Sequence, residues 1–109
     1  MKMPKNKLKA ALKAGKLQLG LWSGLNSTMA SEIMSLSPFD WVVIDMEHSP
    51  NDLMDVVSQL QAFGAGDVSP IVRPPWNDTV EIKRLLDAGV QSFVIPFIQD
   101  RSEAEAAIA

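Results

Sequence analysis

The chain contains one histidine, His48, in the segment DWVVIDMEHSP of residues 40–50. An imidazole exchanges protons near neutral pH, so His48 is a candidate general base. Asp45 could be a ligand, orient the imidazole or cap the next segment, whereas Glu47 could support a metal site from outside its ligands or be an exposed loop acid. The alternative for His48 is a loop histidine that only hydrogen-bonds to the backbone, and the spacing alone leaves both interpretations open.

A second group with potential chemistry is Arg73, which lies between an apolar run and the sequence PPW. A fully buried guanidinium is costly unless it is paired, so Arg73 is expected to have an anionic partner, either a ligand carboxylate or a structural acid. Trp22 and Trp76 could wall a pocket, although indoles are as common in the second layer of an α/β core. Gln99 follows the last apolar run.

Apolar runs that alternate with helical patterns must position these side chains. We predict strands over 17–22, 39–45, 69–74 and 92–97, and helices over 5–14, within NSTMASEIMSL, from Asn51 or Asp52 to Phe63, from Asp78 to Asp87, and from Ser102 onward. Gly15, Gly64 and Gly89 end three of the helices. Capping boxes are predicted at Asp78 with Glu81 and at Ser102 with Glu105.

The pattern is a short helix followed by four βα units, and strands that are apolar on both faces indicate a parallel sheet covered by helices. Both an open doubly wound sheet and half of a (β/α)₈ barrel fit. A full barrel needs about 250 residues, so residues 1–109 are expected to be one incomplete barrel domain, its first four βα units. Reacting groups gather at the C-terminal ends of parallel strands, which would bring Trp22, Asp45, Glu47, His48, Arg73, Trp76 and Gln99 to one rim.

Composition excludes several other classes of function. The chain has no cysteine, and 47% of its residues are hydrophobic, so thiolate chemistry is excluded and a globular protein is expected. Six of the seven lysines lie in the first sixteen residues. A solvated helix face with an apolar stripe explains them better than a nucleic-acid-binding arm. Neither a membrane span, a secretory signal nor a phosphate-binding glycine motif is present, so a cytoplasmic protein is expected.

Taken in order, the motifs resemble one family. The segments KAALKAG, GLW, FDWVVIDMEHSPND, VRPPWND, IKRLLDAGVQSFVIPFIQ and EAEAAI follow one another from about Leu8 to Ala109. In this order and spacing they resemble the HpcH/HpaI aldolases, which are metal-dependent pyruvate aldolases. Each motif alone is weak, whereas the combination of D-x-E-H, R-P-x-W-N-D and L-L-D-x-G is specific.

The resemblance implies a (β/α)₈ barrel, assembled into hexamers, that reversibly cleaves 4-hydroxy-2-oxo acids to pyruvate and an aldehyde with a divalent cation (Mg²⁺, Mn²⁺ or Co²⁺). It also implies roles for individual residues. His48 is expected to be the base that acts on the 4-hydroxyl, and Arg73 the group that stabilises the enolate. Asp87 is expected to raise the basicity of the histidine. From its position after the first strand, and not from the resemblance, Trp22 is expected to bind substrate together with Arg73.

Two departures from the family's pattern limit these expectations. The family's metal ligands, a Glu and an Asp, are expected beyond Ala109, so no ligand is predicted in this chain and the chain alone is expected to be inactive. Asp87 is predicted at a helix end on the opposite rim, so it would have to reach a histidine of a neighbouring subunit, and Asp45 is the local alternative partner. The competing interpretations are a non-catalytic half-barrel that survives by association and a related citryl or malyl thioester lyase.

Overall fold

A parallel sheet of three strands, in the order β1-β2-β3, forms the centre of the structure, a computed structural model that describes residues 1–109. Strands and helices alternate along the chain as α1 (Lys7–Lys13), β1 (Gly20–Ser23), α2 (Thr28–Ser35), β2 (Trp41–Asp45), α3 (Leu53–Phe63), β3 (Ser69–Arg73), α4 (Thr79–Asp87) and α5 (Arg101–Ile108). The predicted α/β class with a parallel sheet is confirmed. None of the helices is both long and apolar enough to cross a membrane.

Local capping chemistry explains where the helices begin. The side chains of Asn6, Ser27, Asp52, Asp78 and Asp100 each accept a hydrogen bond from the backbone amide three residues further on. This contact satisfies an amide that has no partner within the helix. The predicted starts at Asp52 and Asp78 are confirmed.

The predicted start of the last helix at Ser102 is wrong. The cap is Asp100, whose carboxylate accepts from the Glu103 amide at 2.9 Å, and Ser102 lies inside the first turn. Glu105 does not close a capping box with Ser102, and its carboxylate accepts from Arg101 Nε at 2.6 Å instead. A carboxylate is a strong cap and also interacts favourably with the positive end of the helix dipole, which places the cap at the aspartate.

The predicted fourth strand, 92–97, is also not formed as a strand. It is reduced to a single parallel bridge between Val72 and Phe93. The Val72 amide donates to the Ser92 carbonyl and the Val94 amide donates to the Val72 carbonyl, both at 3.0 Å. Pairing stops there because Pro96 has no amide hydrogen and Phe97 has a positive φ of 57°.

The two faces of the sheet have different partners. One face packs against α3 and α4 and forms the main core, made of Val42, Ile44, Met46, Val56, Phe63, Val68, Val72, Leu85 and Val90. On the other face, Leu8 of α1 packs against Val43 and Ile71. Because side chains alternate along a strand, Asp45 and Arg73 share this second face with Val43 and Ile71, two residues nearer the C-terminal ends of their strands. They also face each other in the β2–β3 register.

Gly20 is required by the close approach of Trp41, its register partner on β2. A Cβ atom at residue 20 would lie 2.0 Å from Cδ2 of the Trp41 indole and 2.4 Å from its carbonyl oxygen. We therefore expect Gly20→Ala to lower the free energy of unfolding by about 1–3 kcal/mol, the usual cost of overpacking. Urea denaturation measures this loss.

Gly24→Ala is the matched control for this substitution. A Cβ atom at residue 24 would meet only Cβ of Ser49, at an ordinary contact distance of 3.7 Å. The control is expected to change the free energy of unfolding by no more than about 0.5 kcal/mol. Equal losses in the two variants would contradict the steric explanation.

Candidate active site

Asp45, the last residue of β2, organises the turn that follows the strand. Its side chain is buried, and its Oδ1 accepts from the amides of Glu47 at 2.8 Å and His48 at 3.2 Å. Its Oδ2 accepts from Trp22 Nε1 at 3.1 Å. Of the roles considered for Asp45, capping is the one this geometry shows, since Asp45 contacts the main chain of His48.

A network of hydrogen-bonded polar side chains connects the same turn to α2 and α3. Asn51 Nδ2 donates to the Asp45 carbonyl at 2.8 Å, and Gln59 Nε2 of α3 donates to Asn51 Oδ1 at 2.8 Å. Ser31 Oγ of α2 donates to Gln59 Oε1 at 3.2 Å. Sequence reasoning missed these residues. A signal was present, because Gln59 lies at helical spacing between the core residues Val56 and Phe63 and is therefore a polar residue on an apolar face.

Glu47 brings the two candidate reactive groups together. Its Oε2 lies 2.5 Å from Nη2 of Arg73, and its Oε1 lies 3.3 Å from Nε2 of His48. The side chains of Glu47 and Arg73 are only 17% and 23% exposed, whereas that of His48 is 68% exposed. Glu47 is thus not an exposed loop acid, and within the chain it is the structural acid that pairs with Arg73.

Trp22 lies on the other side of the guanidinium. The Arg73 Cζ atom is 5.4 Å from the centroid of the indole ring, a distance that permits a cation–π interaction. The indole remains half exposed on the face opposite α3 and α4. The structure therefore brings Trp22, Asp45, Glu47, His48 and Arg73 together at the C-terminal ends of β1, β2 and β3.

Asp87 is not brought to this group within the chain. It is the last residue of α4, and its side chain is exposed and forms no hydrogen bond or ion pair. Helices that connect parallel strands run opposite to the strands, so the C-terminus of α4 lies at the other edge of the sheet from His48. The predicted position of Asp87 at the end of a helix is confirmed, and its catalytic role stays a prediction.

Two neighbouring loops on the rim are joined by an aromatic pair. Trp76 stacks on Phe97 with ring centroids 5.3 Å apart, and both side chains are more than half exposed. Asn77 Nδ2 donates to the Glu103 carbonyl at 3.2 Å, and the amide of Gln99 donates to Glu103 Oε2 at 2.6 Å. Trp76 and Gln99 thus lie in two contacting loops at the rim. Phe97 was not predicted as a rim residue from the sequence.

The acids at this rim do not form a cation site by themselves. No group of three or more histidine, aspartate or glutamate side chains is placed to hold a metal ion. The Asp45 carboxylate already accepts three hydrogen bonds, and the Glu47 carboxylate faces Arg73 and His48. The residues of this chain therefore do not fit a divalent cation as its ligand set.

The pKa of Asp45 is lowered, and this gives the site a pH-dependent stability. Burial alone would raise the pKa, but the hydrogen bonds from Trp22 and from the amides of Glu47 and His48, with the nearby charge of Arg73, lower it below the usual value. A carboxyl group with a depressed pKa in the folded state stabilises the fold above its unfolded pKa of about 3.9. That contribution is lost as the pH falls through the folded-state pKa.

We expect Asp45→Asn to lower the free energy of unfolding at pH 7, and the deficit to narrow as the pH falls below about 3.9, where the unfolded carboxyl binds a proton before the folded one does. Urea denaturation between pH 7 and pH 3 measures the deficit. Glu32→Gln, at an exposed position on α2, is the control and should follow the unsubstituted chain at every pH. Stability curves for Asp45→Asn that stay parallel to the unsubstituted chain would refute the assignment.

Comparison with known proteins agrees with the motifs and with the fold. The pyruvate aldolase of Rhizobium etli is 52% identical over 109 residues, which cover 100% of this chain and 43% of the relative. The 4-hydroxy-2-oxo-heptane-1,7-dioate aldolase of Escherichia coli is 48% identical over 103 residues, 94% of this chain and 39% of that protein. The chain thus spans about two fifths of the length of these curated relatives.

A solved structure extends the agreement to three dimensions. The crystal structure of an HpcH/HpaI aldolase/citrate lyase family protein from Burkholderia cenocepacia J2315 superposes with a TM-score of 0.91 at 41% identity, over 95% of this chain and 42% of that one. The family model described as HpcH/HpaI aldolase/citrate lyase matches residues 18–109, which include every strand and every residue of the site. The chain therefore belongs to the HpcH/HpaI aldolase/citrate lyase family.

Proposed function

We propose that this chain supplies the base and the enolate-stabilising group of an aldolase that reversibly cleaves 4-hydroxy-2-oxo acids to pyruvate and an aldehyde. The observation that supports the proposal best is the arrangement around Glu47. An imidazole and a guanidinium contact the two oxygens of one carboxylate at the C-terminal edge of a parallel sheet. A base and a fixed cation, side by side, are the two groups that an aldol cleavage needs from a protein.

The proposed reaction uses each group once. His48 takes the proton of the 4-hydroxyl, directly or through one water, while the C4 oxygen forms the aldehyde carbonyl. The bond between C3 and C4 breaks, and its electron pair passes into the enolate of pyruvate. Arg73 stabilises the negative charge that develops on the enolate oxygen. Proton transfer to C3 then gives pyruvate, and Trp22 contributes a wall of the substrate pocket beside Arg73.

The divalent cation that the family resemblance implies, Mg²⁺, Mn²⁺ or Co²⁺, is proposed to be held by residues outside 1–109. The side chains at the rim do not form a ligand set of their own. Glu47 would not itself coordinate the cation, since both of its carboxylate oxygens face cationic or protonatable side chains.

We also propose that residues 1–109 are the first four βα units of a (β/α)₈ barrel, with the single bridge at Phe93 at the place of the fourth strand. The sequential strand order and the packing of α3 and α4 on one face of the sheet are typical of a barrel segment. The match to two fifths of a Burkholderia cenocepacia family protein supports the same interpretation. In a homo-oligomer, a hexamer by family resemblance, the exposed Asp87 would reach His48 of a neighbouring subunit. A cytoplasmic location also stays a prediction.

The test is a chimera in which residues 1–109 replace the matched segment of the Rhizobium etli pyruvate aldolase, which is 52% identical over this length. Pyruvate release from 4-hydroxy-2-oxo acids is measured with Mg²⁺, Mn²⁺ or Co²⁺. We expect the chimera to release pyruvate and the 109-residue chain alone to release none. A folded chimera with no release would overturn the proposal, and cleavage of citryl or malyl thioesters in place of the free acids would move the protein to the lyase branch of the family.

A further inference from the structure

We propose that Glu47 is a positioning residue of this site, whose carboxylate holds the Arg73 guanidinium and the His48 imidazole in place for the reaction. The inference deepens the proposed function and rests on it. The sequence left Glu47 either beside a metal site or exposed in a loop, and its 17% exposure argues against the exposed loop acid. Its carboxylate touches both groups to which the proposed mechanism assigns chemistry.

Glu47 is the only residue that forms an ion pair with Arg73. The distance between Arg73 Nη2 and Glu47 Oε2 is 2.5 Å. Arg73 Nε and Glu47 Oε2 are both buried without a hydrogen-bond partner, so the pair is held by charge, and the Trp22 ring at 5.4 Å supplies only a cation–π contact. A guanidinium that is three-quarters buried needs an opposite charge; Asp45 contributes from nearby, and Glu47 is the acid in direct contact.

The backbone of both residues of the ion pair, Arg73 and Glu47, is held by hydrogen bonds. Asp45 and Arg73 face each other in the sheet, and the Met46 amide continues the ladder by donating to the Arg73 carbonyl at 2.9 Å. The Glu47 amide is held by Asp45 Oδ1 at 2.8 Å. Since neither main chain is free to move, the carboxylate itself determines where the flexible arginine side chain comes to rest.

Glu47 also contacts the side chain of His48. The imidazole is the most exposed of the three side chains, and its Nε2 lies 3.3 Å from Glu47 Oε1. Asp45 contacts only the main chain of His48, and Asp87 lies at the other edge of the sheet. Within one chain, Glu47 is therefore the carboxylate beside the imidazole, a partner different from the two that the sequence suggested.

Kinetics of the chimera test the proposal with Glu47→Gln, which keeps the shape of the side chain and removes its charge. We expect kcat for pyruvate release to fall about 10- to 100-fold, as for other misplaced reactive groups, with a smaller change in KM. Glu47→Asp retains the carboxylate and should recover part of kcat. Glu32→Gln, an exposed acid on α2, is the matched control and should equal the unsubstituted chimera.

Two kinetic outcomes would overturn the proposal. An unchanged kcat for Glu47→Gln, in a chimera that Arg73→Ala inactivates, would show that Glu47 positions nothing. A lower KM with kcat retained would show that Glu47 instead competes with the substrate's negative charge for Arg73. The double variant Glu47→Gln with Arg73→Ala should be little worse than Arg73→Ala alone, because residues that act through one another have non-additive effects.

A spectroscopic test does not depend on the proposed reaction. His48 is the only histidine of the 109-residue chain, so its imidazole nitrogen signals in NMR spectra need no further assignment. Glu47→Gln is expected to shift these signals, whereas Glu32→Gln leaves them unchanged. Identical spectra for all three chains would refute the contact between Glu47 and His48. An inactive unsubstituted chimera with shifted signals would instead refute the proposed function while retaining the contact.

Discussion

Replacing Arg73 with alanine is expected to lower pyruvate release by the chimera about 100- to 1000-fold, the usual cost of removing one group aimed at a developing negative charge. The guanidinium lies at the end of β3, between the Trp22 ring and the Glu47 carboxylate. Its loss leaves the enolate oxygen without its protein cation and also leaves Glu47 as a nearby uncompensated negative charge. The coupled assay of pyruvate release measures the effect directly.

Two further substitutions separate charge from shape. Arg73→Lys keeps a positive charge but not the planar fork, so it should recover only part of the activity. Arg84→Ala removes an exposed arginine from the last turn of α4 and should leave the activity unchanged. Near-normal turnover in Arg73→Ala would remove Arg73 from the mechanism.

His48→Ala is expected to lower the cleavage of 4-hydroxy-2-oxo acids about 100- to 10,000-fold, the range attributed to a positioned general base. The effect should be on the rate and not on the fold, because the imidazole is 68% exposed and its one ion pair is with Glu47. We therefore expect the midpoint of thermal unfolding of the variant to equal that of the unsubstituted chimera.

A second substrate distinguishes the roles of the two residues. Decarboxylation of oxaloacetate would produce the same pyruvate enolate, but that substrate has no 4-hydroxyl proton to remove. His48→Ala should therefore retain most of this decarboxylation, whereas Arg73→Ala should lose both reactions. Equal losses in His48→Ala for both substrates would show that His48 does not act on the 4-hydroxyl.

The helix starts illustrate what local sequence predicts well. Asp52 and Asp78 cap α3 and α4 through hydrogen bonds to amides only three residues away, so the whole interaction lies within four residues of sequence. Two residues that can cap a helix, Asp100 and Ser102, lie close together before α5, and the prediction of Ser102 was wrong. The stronger cap, the carboxylate, is the one that forms.

The segment 92–97 illustrates what local sequence predicts poorly. Its residues suit a strand, but a strand exists only if a neighbour pairs with it along its length. Pairing with β3 is limited to the bridge at Phe93, and the backbone conformation of Phe97 turns the chain away after Pro96. A propensity scale contains none of this information, because the pairing of Phe93 depends on Val72 of β3, about twenty residues earlier in the chain.

The sequence by itself determined that the chain alternates strands and helices, that the sheet is parallel, and that Asp45, His48 and Arg73 lie at the C-terminal ends of two successive strands. Topology then requires these residues to share one rim, because parallel strands end at the same edge. The tertiary structure decided which side chains touch. Glu47 meets Arg73 across the β2–β3 register, and Asn51 meets Gln59 where α3 packs beneath the turn. Those contacts depend on strand register and on the face to which each side chain points. Spacing along the chain does not contain this information, so the partner of Glu47 could not be predicted from it.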